Sequence, residues 1–419
     1  MIQLEEVTPK TSMRILYNVP FVPWPLRVRS YNLIPRLAER HAVYLLCLSW
    51  SGEEDERSEV WANVCRDVRC VRHHKARAIW QCARALATPT PLRMAYFASR
   101  PMQEAVRQAV ADFAPDVIYT ERWRALQYIP AGIRVPVLCD PTDSMFLYNQ
   151  RLAQSGRWWE RPVAWEESRK FRAYEAKLAQ RADAVVFCSR VDQQAVEQFA
   201  PDARYVLAPN GVDGELFFPK GPQEEEPNTL VCTGNLRYGP NRHALRFLLD
   251  KVMPFVRHKL PSARLIVAGN GSRAYLGREI DSTPGLEVVD FVPELRPYIA
   301  RAAVAVAPIV VGAGVCNKVG EAFATGTAVV ATRLACGDLP VEDGVHLLLA
   351  DHAEPFAEKV IRLLRDTQLR AALAKEGRRL IEQKYDWTIV SAIIERALLN
   401  LACSKADSDT MLEMRTASR

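Results

Sequence analysis

The stretch VGAGVCNKVGEAFATGTAVVAT (311–332) is the densest passage of glycine and charge in the chain, and its reading decides the fold. Three readings compete: a phosphate-binding P-loop, a dinucleotide fingerprint, or a sugar-nucleotide site. A P-loop needs G-x-x-x-x-G-K-[ST], with a hydroxyl for magnesium after the lysine. Here Lys318 follows Asn317 and precedes Val319, so that reading fails. The dinucleotide fingerprint needs G-x-G-x-x-G. Gly312 and Gly314 fit it, but Asn317 takes the third glycine's place. Gly269 and Gly271 fail the same test, with Ala274 in third position. What remains is G-x-G-x-x-x-K-x-x-E-A after the apolar run AVAVAPIV (303–310). The spacing predicts a helix from near Val315, whose free N–H groups and positive dipole end favour a diphosphate. Lys318 in the first turn adds a point charge. Glu321, three residues on, shares that face and can accept hydroxyl hydrogen bonds, as from a ribose. The plainer alternative is a surface Lys–Glu pair after a tight strand-to-helix turn.

Outward from this stretch, short apolar runs alternate with helical segments. In the first half they are MRILYNVP (13–20), AVYLLCLS (42–49), PDVIYTE (115–121), VPVLCDP (135–141) and DAVVFCS (183–189). In the second half they are NTLVCTGNL (228–236), ARLIVAGNG (263–271), LEVVDFV (286–292), VAVAPIV (304–310) and AVVAT (328–332). Buried strands alternating with helices indicate parallel sheet, so the class is α/β with two domains in tandem. The join falls in VLAPNGVDGELFFP (206–219), which is rich in turn residues, and the acid-rich KGPQEEEPN (220–228) follows as a surface linker. The expected division is a disordered leader (1–12), domains at 13–208 and 209–385, a last helix (386–402) and a disordered polar tail (403–419). Ligands of open parallel sheets sit at the carboxyl ends of the strands. Two such sheets facing each other place the chemistry in the cleft between them.

Composition is consistent with this. The 419 residues are 49% hydrophobic and 25% charged, enough for two ordinary cores. Ten cysteines without C-x-x-C or zinc spacing read as reduced thiols in a cytosolic setting. The N-terminus is polar, with no signal-peptide pattern. The longest apolar run (302–315) is broken by Pro308 and Gly312, and is short of the roughly 20 residues of a membrane helix. The net charge of +6 is concentrated in 57–107, where ten lysines and arginines face three acids. That segment can contact anionic membrane or a phosphorylated acceptor, or is simply a solvated helical face. With no recognisable nucleic-acid module beside it, nucleic acid is not the expected partner. The one D-x-D, Asp407 to Asp409, lies in the tail, and no metal site is expected.

In order along the chain, these motifs resemble glycosyltransferase family 4, a GT-B family. PNGVD (209–213) resembles its hinge signature, CTGNLRYGPN (232–241) its first strand and phosphate loop, and ARLIVAGNG its second strand and glycine turn. The stretch 311–332 resembles the donor loop with its E-A-x-A-x-G-x-x-V-V segment. GDLPVEDGVHLLL (337–349), KYDW (384–387) and the upstream YEAKLAQRADAVVFCS (174–189) complete the resemblance, which covers roughly 170–390. The opening of the chain, with Arg29 and Ser30, is similar to bacterial exopolysaccharide-associated members.

The resemblance implies two Rossmann-like domains facing a central cleft, with the C-terminal helix returning to the N-terminal domain. It implies retaining, metal-independent transfer from a nucleotide-diphosphate sugar to a glycan or lipid-linked acceptor, with no cofactor. Glu321 matches the second glutamate of the family's E-x7-E motif, implied to hold the donor ribose. The first falls on Ala313, leaving the sugar to backbone groups at Gly312, Ala313, Gly314 and Val315. The family's phosphate-binding Arg and Lys fall on Asn235 and Pro240, so Lys318, Arg237 and Arg242 are the candidate replacements. The turns at Gly234 and Asn235 and at Gly269 and Gly271 complete the donor set. Where many relatives place a histidine, the first-domain strand ends offer Glu121, Asp140 and Asp143 to orient the acceptor hydroxyl or take its proton. Asp143 and Ser144 also suit a helix N-cap. Two rivals stay open: a nucleotide-sugar epimerase, and an inactive scaffold subunit prompted by Ala313.

Overall fold

The apolar runs become the strands of two parallel sheets. The structure is a computed structural model and describes residues 12–417 except 26, 222 and 312–316, with side chains as far as 404 other than that of Ser155. The first sheet contains β1 (Arg14–Val19), β2 (Ala42–Ser49), β3 (Asp67–Arg72), β4 (Val117–Glu121), β5 (Val137–Thr142), β6 (Ala184–Phe187) and β7 (Tyr205–Leu207). The second contains β8 (Glu226–Thr233), β9 (Arg264–Ala268), β10 (Leu286–Val289), β11 (Ala302–Ala307), β12 (Ala328–Ala331) and β13 (Leu348–Leu349). Their orders are β3-β2-β1-β4-β5-β6-β7 and β10-β9-β8-β11-β12-β13. Pairing is parallel throughout, for example Tyr17 with Leu45 and Tyr119, and Val304 with Ala328. Each sheet has a buried apolar cluster on both faces, which is why its strands read as continuous apolar runs.

Strand order reverses between β1 and β4 in one sheet and between β8 and β11 in the other. The loops leaving neighbouring strands diverge at such a point and open a crevice at the carboxyl ends. The two crevices face each other, and this positions the site.

Three strands are not legible as apolar runs. β3 is a charged edge (DVRCVR), where Asp67, Arg69 and Arg72 keep the open side of the sheet polar. It shows that the basic segment 57–107 is not one helical face. β7 and β13 have only three and two residues, too short for a periodicity.

The acid-rich stretch after the join is no loose linker. Glu224 pairs with Arg296 at 2.6 Å, Glu225 with Arg370 at 2.5 Å and Lys220 at 2.7 Å, and Glu226 with Arg301 at 2.7 Å. The three arginines come from distant positions in the sequence, so the local composition did not reveal these pairs; only Lys220 is local.

The disordered tail expected from residue 403 is corrected. The last helix runs from Trp387 to Ala417. The tail sequence has neither Pro nor Gly, so its polarity does not interrupt the backbone ladder. By length and composition alone, Trp387–Ser404 could cross a membrane. Its Trp387, Val390, Ile394, Leu398 and Leu401 instead pack into the first sheet's core. The chain thus crosses between domains twice, and the crossings touch: Val212 N–H donates to Tyr385 O at 2.7 Å. Gly211 is needed there, since a Cβ would lie 2.6 Å from the Trp387 ring. Of the leader at 1–12, only Ser12 is among the described residues.

Candidate active site

A cleft of about 610 Å³ lies between the facing strand ends. Its first-domain wall comes from the loop after β1 (Arg27), the turn after β4 (Arg122, Trp123, Arg124), the end of β5 (Thr142, Asp143) and the helix Leu92–Tyr96 (Arg93). Its second-domain wall comes from the turn after β8 (Gly234, Asn235, Tyr238, Asn241) and the helix Asn317–Ala324 (Asn317, Lys318, Glu321). Around the cleft the domains touch through Trp24 on Phe291 (ring centroids 6.1 Å apart), Tyr148 on Tyr238 (6.4 Å), and Asn210 Nδ2 donating to Asn317 Oδ1 at 3.2 Å.

The first-domain wall is held in costly backbone. Arg122 and Thr142 have φ of +74° and +70°, a region non-glycine residues rarely enter. The Arg122 N–H donates to Asp140 O at 2.7 Å, tying the ends of β4 and β5 together. Such strain persists where the surroundings over-determine it, commonly beside a functional site.

The three candidate acids differ sharply. Asp143 lines the cleft and meets Arg122 at 3.4 Å. Burial pushes its carboxyl up, against the pull of Arg122. The N-cap role goes to its neighbour Ser144, whose hydroxyl accepts from Leu147 N–H at 3.2 Å. Asp140 is fully buried and does not line the cleft. It accepts from Arg29 Nε and Tyr119 O–H, each at 2.5 Å, and from Thr142 N–H at 3.1 Å. Glu121 is also buried, with Tyr17 O–H at 3.4 Å and Arg122 at 3.8 Å, and also lies off the cleft lining. Burial raises its pKa first of all. The geometry thus brings Asp143 to the cleft, and makes Asp140 and Glu121 supports beneath its wall.

On the donor side, Lys318 and Glu321 line the cleft together. Lys318 Nζ donates to Asn241 Oδ1 at 3.0 Å. Burial pushes the Glu321 carboxyl up to about 7, with Lys318 pulling the other way. Gly234 and Asn235 line the cleft, whereas Arg237, Arg242, Gly269 and Gly271 lie outside its lining. Asn235 Oδ1 caps Arg237 N–H at 2.9 Å. The N–H of Gly271, a donor-set candidate by sequence, and that of its neighbour Ser272 are spent on Asp290 Oδ1 at 2.6 and 3.0 Å. Gly269 packs against the Gly234 turn and so shapes the lining from behind. Gly312, Ala313, Gly314 and Val315 lie outside the described residues.

Sequence reasoning did not name Arg27, Arg93, Arg124, Tyr148, Tyr238 or Asn241 as site residues, although Tyr238 and Asn241 lie in the quoted loop 232–241 and Arg93 in the basic segment 57–107. They come from segments far apart in the chain, and only the strand order brings them together.

Two Rossmann-like domains with a cleft at facing switch points define the GT-B class. Two family models match the chain: Glycosyltransferase Family 4 over 27–216, and Glycosyl transferases group 1 over 227–366. The chain belongs to the glycosyltransferases of the family 4 type. No curated protein sequence matches it. Among solved structures, it is similar to HepE from Anabaena in complex with UDP and glucose, at 17% identity and a TM-score of 0.68, covering 93% of this chain and 100% of that one. It is similar to sucrose-phosphate synthase from Thermosynechococcus elongatus, at 16% identity and 0.69, covering 94% and 100%. A glycosyltransferase from Rickettsia africae follows at 11% and 0.66, covering 93% and 98%. These likenesses establish the fold.

Proposed function

We propose that the protein transfers a sugar from a nucleotide-diphosphate sugar to a glycan or lipid-linked acceptor, with retention, in exopolysaccharide or related glycoconjugate synthesis. The observation that carries this is the pairing of Lys318 and Glu321 on one wall of the interdomain cleft, facing Arg122 and Asp143 on the other. In this reading Glu321 accepts the ribose hydroxyls and Lys318 faces the diphosphate. Asp143 orients the acceptor hydroxyl, or takes its proton as the new bond forms. Cations and the start of the Asn317–Ala324 helix meet the charge of the leaving diphosphate. No metal is needed in this scheme, and among the described residues no three His, Cys, Asp or Glu side chains gather into a ligand set. Closure of the domains over the cleft favours transfer over hydrolysis. HepE has been solved with UDP-glucose, so UDP-sugars are the first donors to try.

The protein works in this reading from the cytoplasmic side, in peripheral contact with an anionic bilayer. Support comes from a surface that joins the basic segment to a second helix. Ile79, Trp80 and Leu86 are exposed, as are Trp158, Trp159, Val163 and Trp165. The two groups are neighbours, because Lys170 Nζ donates to Ala85 O at 3.3 Å and Leu92 N–H to Glu167 at 3.0 Å. Lys75, Arg77, Arg84, Arg157 and Arg161 stand exposed among them. Tryptophans interleaved with bases suit the headgroup layer of an anionic membrane.

The experiment is calorimetry with UDP- and GDP-sugars, then incubation of a nucleotide-sugar panel with membrane lipid extract. Binding plus a glycosylated product is expected, with the anomeric configuration read by NMR. No binding of any nucleotide sinks the transferase reading. A binding-only subunit is the second reading, favoured by Asp290 occupying the N–H groups after β9. It predicts nucleotide binding without turnover.

A further inference from the structure

The first-domain wall of the cleft carries more positive charge than its partners neutralise. Arg27, Arg93, Arg122 and Arg124 all line it, against Asp143 alone. Arg122 is shared between Asp143 and Glu121. Among the described residues, Arg27, Arg93 and Arg124 have no carboxylate within 4.0 Å. They rest on rings instead: Arg27 4.5 Å from Phe21, Arg93 5.7 Å from Tyr148, and Arg124 4.5 Å from Phe97. The Nε of Arg124 is buried with no hydrogen-bond partner among the described residues, as is Nε1 of the adjacent Trp123.

Elsewhere several buried or half-buried arginines of this chain meet carboxylates. Arg29 has Asp140, Arg296 has Glu224, Arg370 has Glu225, and Arg301 has both Glu226 and Glu287. On the cleft wall the half-buried Arg124 and the more open Arg27 and Arg93 stand side by side without one. Burial lowers the pKa of Arg27 and lowers that of Arg124 well below the usual range, and repulsion from Arg122 adds to both. Like charges held together without counter-charge destabilise a fold, so their retention in a cleft points to an anionic ligand.

We propose that Arg27, Arg93 and Arg124 bind a phosphoryl group carried by the acceptor, at a subsite separate from the donor diphosphate; this rests on the transferase reading above. The donor's phosphates are assigned to the opposite wall, where Lys318 and the Gly234 turn stand. The first-domain wall is therefore free to take a second anion. A carboxylate would leave that wall strongly positive, whereas a phosphoryl dianion comes close to balancing it. Guanidinium forks also match phosphoryl oxygens better than an ammonium does. The group can come from a soluble sugar phosphate or from a lipid-linked phosphate, since both present the same oxygens.

The test is calorimetry on the full chain saturated with UDP. The titrants are glucose 6-phosphate, geranyl phosphate in micelles, glucose and glucuronate. One of the two phosphates is expected to bind about tenfold or more tighter than glucose and glucuronate, and which one wins identifies the source. The double variant R93Q/R124Q is expected to lose about tenfold of that affinity, with UDP affinity kept within about twofold. If the double variant does not fold, R93Q alone carries the test, since Arg93 is exposed on the wall. The proposal is overturned if neither phosphate binds better than glucose or glucuronate. It is equally overturned if UDP affinity falls in parallel, which would give these arginines to the donor. Failure of wild-type protein to bind UDP or GDP at all is a different result, and overturns the transferase reading itself.

Discussion

Arg29 and Asp140 form a buried ion pair at 2.5 Å, and the same guanidinium reaches the join between the domains. It donates to Ala208 O at 3.0 Å, Pro209 O at 3.2 Å and Asn210 Oδ1 at 3.1 Å. One arginine thus ties the end of β5, which carries Thr142 and Asp143, to the first interdomain crossing. Removing one partner of such a pair strands a buried charge. Asp140→Ala is expected to destabilise the protein by about 3–5 kcal/mol. Asp140→Asn, which keeps the shape and the Tyr119 contact, should cost less. Urea denaturation of both variants checks this, and equal stabilities would show the pair to be incidental.

Gly269 bears on the donor wall without lining the cleft. Its φ is +149°, and a Cβ there would lie 2.2 Å from Gly234 O. Gly234 in turn donates its N–H to Ala268 O at 2.9 Å. Gly269→Ala must therefore push the Gly234 turn into the cleft. It is expected to cost about 2 kcal/mol or more in stability, and to weaken nucleotide binding about tenfold or more. Gly277 is the control, with φ of +53° and open space around its Cβ position. Gly277→Ala should cost about 1 kcal/mol and leave nucleotide affinity unchanged. Calorimetry beside melting curves separates the two; identical effects on binding would refute the backbone route.

Most of the fold was legible in the sequence, because strands buried on both faces read as unbroken apolar runs. β3 was not, since an edge strand is polar on purpose, and β7 and β13 were too short to show a period. That Lys318 and Glu321 share one wall was legible, because one helix carries both at a fixed spacing. Asp140 and Glu121 were legible as strand-end acids, but a strand end does not say whether a carboxylate points into the cleft or beneath it. Arg29 and Tyr17 decide that, and both lie about a hundred residues away. The arginine wall was illegible for the same reason. Its members come from three separate segments, the loop after β1, the helix Leu92–Tyr96 and the turn after β4, which only the tertiary fold brings together.

The tryptophan surface makes its own prediction. Trp80, Trp158 and Trp165 are exposed, so replacing them with alanine removes no core packing. Stability should change by less than about 0.5 kcal/mol per site. Partition onto vesicles containing phosphatidylglycerol should fall about tenfold or more in the triple variant, and wild-type binding should weaken with salt. Vesicle sedimentation measures both. Unchanged partition in the triple variant would remove this face from the membrane reading.

Glu321 sets a pH dependence whose direction follows from its surroundings. Burial holds its carboxyl near 7 in the folded chain, above the ordinary value of 4.5. Ribose hydroxyls donate to the ionised form, so nucleotide binding must first drive off the proton at acid pH. Affinity is expected to fall by up to about tenfold for each pH unit below 7, and to level off above about 8. The stability effect has the opposite sense. With a folded pKa above the unfolded one, this group's contribution is fully present below about pH 4.5 and is lost as pH rises through about 7. Glu321→Gln never ionises, so it should be more stable than wild type at pH 8, by about 1–3 kcal/mol. The same variant should bind nucleotide weakly and with no pH dependence across this range. Calorimetry and melting curves at pH 6 and 8 read both effects on one pair of proteins. A variant that keeps wild-type affinity and its pH profile would show that another group holds the ribose.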